Sequence, residues 1–220
     1  MQTFATTAAV TTVLEIPAGR VQFIAADRAD AVVEVRPANP AKNRDVKAAQ
    51  ETRVDFREGI LRIEAEAKNH LAGAAGTIEV TVQLPVGSHV EAKAASLDLR
   101  GVGRLGDVAF EGAQATVKLD EAMSARLTAA AGDVTLGRLT GPAEIGVQKG
   151  DIRITEAVRG TLVLRTEAGD VSVTAAHGVS ATLDAGTVYG RIHNELKNDG
   201  TTALHIRATT SHGDIHARSL

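Results

Sequence analysis

The stretch "EAGDVSVT", residues 167–174, has near-copies along the chain: "AAGDVTLG" from Ala130, "QKGDIRIT" from Gln148 and "SHGDIHAR" from Ser211. Aligning these with weaker relatives gives one register. It runs through Leu97-Asp98-Leu99, Ala115-Thr116-Val117, Gly132-Asp133-Val134, Gly150-Asp151-Ile152, Gly169-Asp170-Val171, Gly186-Thr187-Val188 and Gly213-Asp214-Ile215. Successive first residues are 18, 17, 18, 19, 17 and 27 apart, and a fixed period near 20 marks a stacked repeat architecture. Within a unit the period is two: Val134 and Leu136, Ile152 and Ile154, Val171 and Val173 alternate with polar neighbours, as in strands with one buried face. A second alternating run follows about ten residues later, in "GPAEIGVQ" from Gly141, "GTLVLRT" from Gly160 and "GVSATLD" from Gly178. Each repeat therefore reads as strand, turn, strand and Gly-Asp corner. About 18 residues are too few for a strand–helix–strand crossover, so the reading is an all-β solenoid. The 27-residue step is one coil plus a loop at "NELKNDG" (194–200).

Composition agrees. The chain has 21 glycines and 2% aromatic residues, so its core must be built from Val, Ile, Leu and Ala. Thin stacked layers tolerate that better than a compact core anchored on rings. With 24 basic against 27 acidic residues the net charge is −3, which offers nothing to draw nucleic acid or an anionic membrane surface. There is no cysteine, hence no disulfide and no thiolate metal site. No apolar run reaches the roughly 18 residues of a membrane span. "MQTFATTAAVTTVLEIPAGR" (1–20) lacks the basic start of a signal peptide, so the expected location is the cytoplasm, without membrane insertion.

Residues 1–91 do not share the period but are strand-like in "VVEV" (32–35), "ILRIEAE" (60–66) and "TIEVTVQLP" (77–85). Turn signals stand at Pro17-Ala18-Gly19, Glu58-Gly59 and Pro85-Val86-Gly87. Two longer connections, 36–51 and 67–76, interrupt them, and no helix is expected beyond a turn in "KAAQE" (47–51). This half reads as a non-repeating β-cap (1–91) feeding the solenoid (92–220) in one continuous unit, because bare coil ends expose unpaired strands.

The succession "VVEVRPANP", "TRVDFREGILRI", "TIEVTVQLPVGSHVEAKAASLDLRGVGRLGDV" and the Gly-Asp-Val coils ending in "TTSHGDIHARSL" resembles the bacterial DUF4097 group, often labelled adhesins. The resemblance covers nearly the whole chain. It implies a right-handed β-helix type of solenoid, and it implies no established reaction and no catalytic residues.

The acidic repeat has two chemical readings. In stacked coils Asp98, Asp133, Asp151, Asp170 and Asp214 share one column, with Thr116 and Thr187 in the same register, and adjacent layers lie about 4.8 Å apart. Carboxylates that close repel one another unless something offsets the charge. Calcium rolls need glycines and aspartates every nine residues, whereas here one Asp recurs per roughly 18. The structural reading has each Asp accept backbone N–H groups at a corner that the preceding glycine allows to bend. It makes Gly132, Asp133, Gly150, Asp151, Gly169, Asp170, Gly213 and Asp214 turn corners rather than a catalytic or metal site. Two residues after each corner come Arg100, Lys118, Thr135, Arg153, Ser172, Tyr189 and His216. Of these, Arg100, Lys118, Arg153, Tyr189 and His216 form a candidate interaction ribbon whose basic members balance the acidic column.

Other chemistry finds little support. Glycoside hydrolysis needs paired carboxylates in a sugar-sized groove, yet no long loops wall one, and Tyr189 is the only tyrosine, with no tryptophan to stack sugars. His212 and His216 flank "GDI", but with no third ligand nearby in sequence no zinc site is expected. "GVGRLGDV" (101–108) lacks the Lys-Ser/Thr of a phosphate loop. The expectation is a non-catalytic structural or interaction module without a cofactor. It would present a solenoid face or end to a protein partner or to itself, with end-to-end pairing at the terminal coil "HGDIHARSL" (212–220). The alternative is a carbohydrate-binding or polysaccharide-active β-helix, calcium-dependent if the Asp column binds the ion.

Overall fold

The computed structural model describes residues 1–65 and 76–220, which form two compact units, Met1–Ala115 and Thr116–Leu220. Both are built from strands, with one helix in the first. The connection expected over 67–76 lies, apart from Gly76, outside the described residues.

The first unit holds β1 (Gln2–Ala5), β2 (Thr11–Ala26), β3 (Asp30–Pro37), α1 (Asn43–Glu51), β4 (Arg53–Arg57), β5 (Ile60–Glu64), β6 (Ile78–Pro85) and the first part of β7 (His89–Ala131). β2 is its organising strand. It runs parallel to β7 from Thr11↔His89 to Ile24↔Val102, and on its other side to β5 from Thr11 to Glu15 and to β6 from Gly19 to Ala26. The turn expected at Pro17-Ala18-Gly19 is absent: β2 stays extended through these residues, and only the partner on this side changes. Pro17 has no N–H to leave unpaired there, and it is skipped in the register with β7. β4 and β5 form a hairpin whose turn residues, Glu58 and Gly59, have φ of +52° and +76°. Leu14, Val21, Phe23, Leu61, Ile63 and Leu99 fill the core.

α1 corrects the expectation that 36–51 carries no helix. Its reason is Asp45, buried in the first turn, whose carboxylate accepts the Thr77 N–H at 3.0 Å and ties the helix to the start of β6. An acid in the first helical turn also suits the helix dipole.

In the second unit β7 continues from Thr116 and is followed by β8 (Val134–Leu139), β9 (Ala143–Lys149), β10 (Ile152–Ala157), β11 (Gly160–Ala168) and β12 (Val171–Ala175). Then come β13 (Ala181–Tyr189), β14 (Ile192–Glu195), β15 (Leu204–His212) and β16 (Ile215–Ser219). All pairings are parallel and fall into two rows, β7-β8-β10-β12-β16-β14 and β7-β9-β11-β15-β13. Val117 faces Val134, Val134 faces Ile152 and Ile152 faces Val171, and these residues point inward with Leu119, Leu136 and Ile154.

The stacking order departs from chain order at the end. Val171 faces Ile215, and Ile215 faces Ile192 on its other side, so coil 204–219 lies between coil 160–175 and coil 181–195. This overturns two sequence-based expectations: that Gly186-Thr187-Val188 follows Gly169-Asp170-Val171 in the stack, and that 212–220 forms the exposed end. The inward residues explain the order. Leu204, Ile206, Ala208, Ile215 and Ala217 are buried and need a layer on each side. Coil 181–195 offers Leu183, Ala185 and Thr187, which stay half-exposed, and Ile192 and Asn194, which stay exposed; it is the layer that tolerates the outside. The connection back starts from the loop after β14, where the buried Ser180 receives the Asp199 N–H on its hydroxyl at 3.1 Å and the Ala203 N–H on its carbonyl at 3.0 Å.

Candidate functional site: the Gly-Asp ladder and the outer coil

The Gly-Asp corners of the second unit form a hydrogen-bonded ladder. Asp133 Oδ1 accepts the Asp151 N–H at 2.9 Å, Asp151 Oδ1 the Asp170 N–H at 2.8 Å, and Asp170 Oδ1 the Asp214 N–H at 2.7 Å. Asp214 Oδ1 in turn accepts the N–H of Arg191 at 2.8 Å. Each carboxylate thus holds the backbone of the next coil rather than of its own turn. The aspartates therefore stitch successive coils together through their side chains.

The preceding glycines, Gly132, Gly150, Gly169 and Gly213, have φ of +120°, +145°, +154° and +147°. They also nest: a Cβ on Gly150 would collide with the Gly132 carbonyl oxygen, one on Gly169 with that of Gly150, and one on Gly213 with that of Gly169. Both the dihedral and the close approach require glycine.

A second column was missed in the sequence. Thr166, Thr210 and Thr187 lie in register across β11, β15 and β13. Their hydroxyls donate to the carbonyl oxygens of Gly150, Gly169 and Gly213 at 2.9, 3.0 and 3.1 Å. Thr187 therefore belongs to this column and not to the aspartate column where its spacing had placed it. The aspartate position of coil 181–195 is Arg191. Among the described residues no layer follows this outer coil, so a carboxylate here would have no N–H to hold. In the first unit Asp98 faces Arg20 across β2 and β7, its Oδ2 3.4 Å from Arg20 Nε.

The ribbon resolves in the same way. In the second unit Lys118, Thr135, Arg153, Ser172, His216 and His193 form one outward column in that order, while Arg100, in the first unit, faces Gln22. Tyr189 is not in it. It lies before the corner, facing and stacked on His212 with ring centroids 5.0 Å apart. Its place is taken by His193, stacked on His216 with ring centroids 4.8 Å apart and ring planes nearly parallel. His212 and His216 thus face different neighbours. Beside the His193–His216 stack an open groove of about 390 Å³ is lined by Arg153, Ser172, Glu195 and Arg218.

The outer coil is the open end of this unit. Among the described residues β13 pairs only with β15, and β14 only with β16, so each has one edge without a partner strand, although at the start of β13 the Ala181 N–H donates to the Lys197 carbonyl at 3.0 Å. Val188, Tyr189 and Ile192 on this coil are 70%, 68% and 45% exposed, three of the six large hydrophobic side chains exposed among the described residues. No helix among the described residues is long and apolar enough to cross a membrane.

Comparison with known proteins gives the chain's relatives. A family model described as Toastrack DUF4097 matches residues 8–218. A search of the curated proteins returns no match. Among solved structures, a "putative adhesin" from Bacteroides fragilis aligns over 98% of this chain and 95% of its own, at 12% identity and a TM-score of 0.56, and so shares the fold. A "putative lipid binding protein" from Parabacteroides distasonis aligns over 97% and 95% at 12% identity, with a TM-score of 0.44. A "putative cell adhesion protein" from Clostridium sporogenes aligns over 96% and 93% at 10% identity, with a TM-score of 0.40.

Proposed function

The chain belongs to the Toastrack DUF4097 family, and from that premise we propose that it is a non-catalytic interaction module that docks a protein partner, in the first instance a second copy of itself, on the outer coil 181–195. The observation that carries this reading is the open edge of β13 and β14 together with exposed Val188, Tyr189 and Ile192. Unpaired edges recruit strands, and apolar side chains at the same edge add burial to the backbone hydrogen bonds. The coil is read as right-handed, in keeping with the prevailing hand of crossovers between parallel strands of one sheet. The Asp ladder is a stacking device in this account, since one oxygen of each of its four carboxylates receives a backbone N–H.

Light scattering on the eluting protein between 10 and 200 µM (about that range) tests the docking. The expected result is a concentration-dependent dimer that the pair Val188→Lys and Ile192→Asp abolishes without lowering the unfolding temperature by more than a few degrees. A monomeric mass throughout, or a dimer indifferent to both substitutions, overturns self-docking on this coil.

A further inference from the structure

We propose that His193, Asp214 and His216 form a binding site for one divalent transition-metal ion of the zinc or nickel class. The site joins the outer coil to the coil inserted beneath it. His193 stands on β14, His216 faces it on β16, and Asp214 occupies the corner just before β16. One donor atom from each lies within 4.8 Å of those of the other two. Among the described residues no other group of three His, Asp or Glu side chains meets that condition. Two imidazole nitrogens and one carboxylate oxygen are the donor set that zinc and its neighbours prefer, and three protein ligands leave a fourth position for water.

The geometry needs only side-chain movement. Donors bound at 2.0–2.2 Å around a tetrahedral ion sit about 3.4 Å apart, so the three need to close by no more than roughly 1.4 Å. Both histidines are exposed, and the backbone register between β14 and β16 places them opposite each other. Asp214 is held in place: its Oδ1 accepts the Arg191 N–H at 2.8 Å, so the carboxylate is oriented before any ion arrives. Arg153 and Arg218 line the same groove and oppose a cation, and Glu195, on the same strand as His193, offsets part of that charge. The stacked pair Tyr189–His212 on the other side of the corner serves as the internal control, because it belongs to no such three-ligand group.

The proposal is independent of self-docking and is tested without it. Calorimetric titration of zinc chloride into the chelator-stripped full chain at pH 7.5 is expected to give one ion per chain. His193→Asn and His216→Asn should each weaken binding at least tenfold, His212→Asn should leave it unchanged, and all three should keep the metal-free unfolding temperature of the parent. In the imidazole region of the NMR spectrum two histidines should shift together on adding zinc. Retention of full affinity by either His193→Asn or His216→Asn would overturn the site, as would a titration with no heat and no imidazole shift at millimolar zinc.

Discussion

Asp170 and Asp214, 44 residues apart in the chain, are joined by a single short hydrogen bond from the Asp214 backbone N–H to the Asp170 carboxylate at 2.7 Å. The bond spans the point where the chain leaves sequential stacking, because coil 204–219 enters between coils made earlier. Asp170→Ala removes the acceptor and should cost about 1–2 kcal/mol, the order of the net contribution of one hydrogen bond. Asp170→Asn keeps an oxygen acceptor and should cost less than half as much. Equal losses in urea unfolding for the two variants would mean that the charge, not the N–H contact, is what the position supplies.

The corner glycine gives a sharper penalty. Gly169 has φ of +154°, and a Cβ there would collide with the Gly150 carbonyl oxygen. Gly169→Ala should therefore destabilise the second unit by at least about 2 kcal/mol. Gly186 has no atom within 4 Å of a built Cβ and no positive φ, so Gly186→Ala should be nearly neutral. Thermal unfolding of the two variants side by side checks the contrast.

The threonine column predicts a third effect. Thr210 is buried, and its hydroxyl donates to the Gly169 carbonyl at 3.0 Å. Thr210→Val preserves shape and removes the donor, for an expected loss of about 1 kcal/mol. Hydrogen exchange should report it first at the 169–171 and 213–215 corners.

Acid should act on the loop that carries the chain back. Hydrogen bonds to Asp199 from the Thr201 N–H, at 2.9 Å, and from Ser180 hold its pKa below the ordinary carboxylate value. Asp30 is lowered likewise, first by its hydrogen bond from Arg28, at 2.7 Å, and then by the Arg28 charge. A lowered folded-state pKa means stabilisation that is complete above the unfolded value, about 3.9, and that fades as pH falls through the folded one. The stability difference between the parent and Asp199→Asn should accordingly shrink as pH drops below about 4. A difference that grows on acidification would show the carboxylate to be unfavourably placed.

Much of the second unit is legible because one constraint repeats. A corner needs glycine, an acceptor and an inward β-branched residue, and Gly132-Asp133-Val134, Gly150-Asp151-Ile152 and Gly169-Asp170-Val171 spell that out. Gly190-Arg191-Ile192 escapes, because the outermost layer has no N–H to hold and its acid is replaced by arginine. Spacing then misplaces Thr187, Tyr189 and the last coil together. Steps of 17 and 27 residues sum to the 44 between 169 and 213, and local spacing cannot tell a sequential coil from an inserted one. The readable cue was burial: "LHIRATT" (204–210) is more regularly apolar than "LDAGTVY" (183–189) and belongs inside. In the first unit the Pro17-Ala18-Gly19 turn signal misled, since β2 runs through it as one strand and is paired with β7 on both sides of Pro17. The His193–His216 pair was hidden for the same reason as the outer coil.

Which coil is outermost decides the docking edge and the histidine pair alike, and cross-linking measures it directly. The chain has no cysteine, so introduced pairs report cleanly. Ser172 faces His216 in register, at a separation that parallel neighbours and disulfides share, about 5 Å between Cα atoms. Under mild oxidation Ser172→Cys with His216→Cys should close to a disulfide in nearly every molecule, while Ser172→Cys with Tyr189→Cys should remain reduced. The reverse pattern, with the second pair closed and the first left reduced, would restore sequential stacking and remove the outer coil on which the account depends.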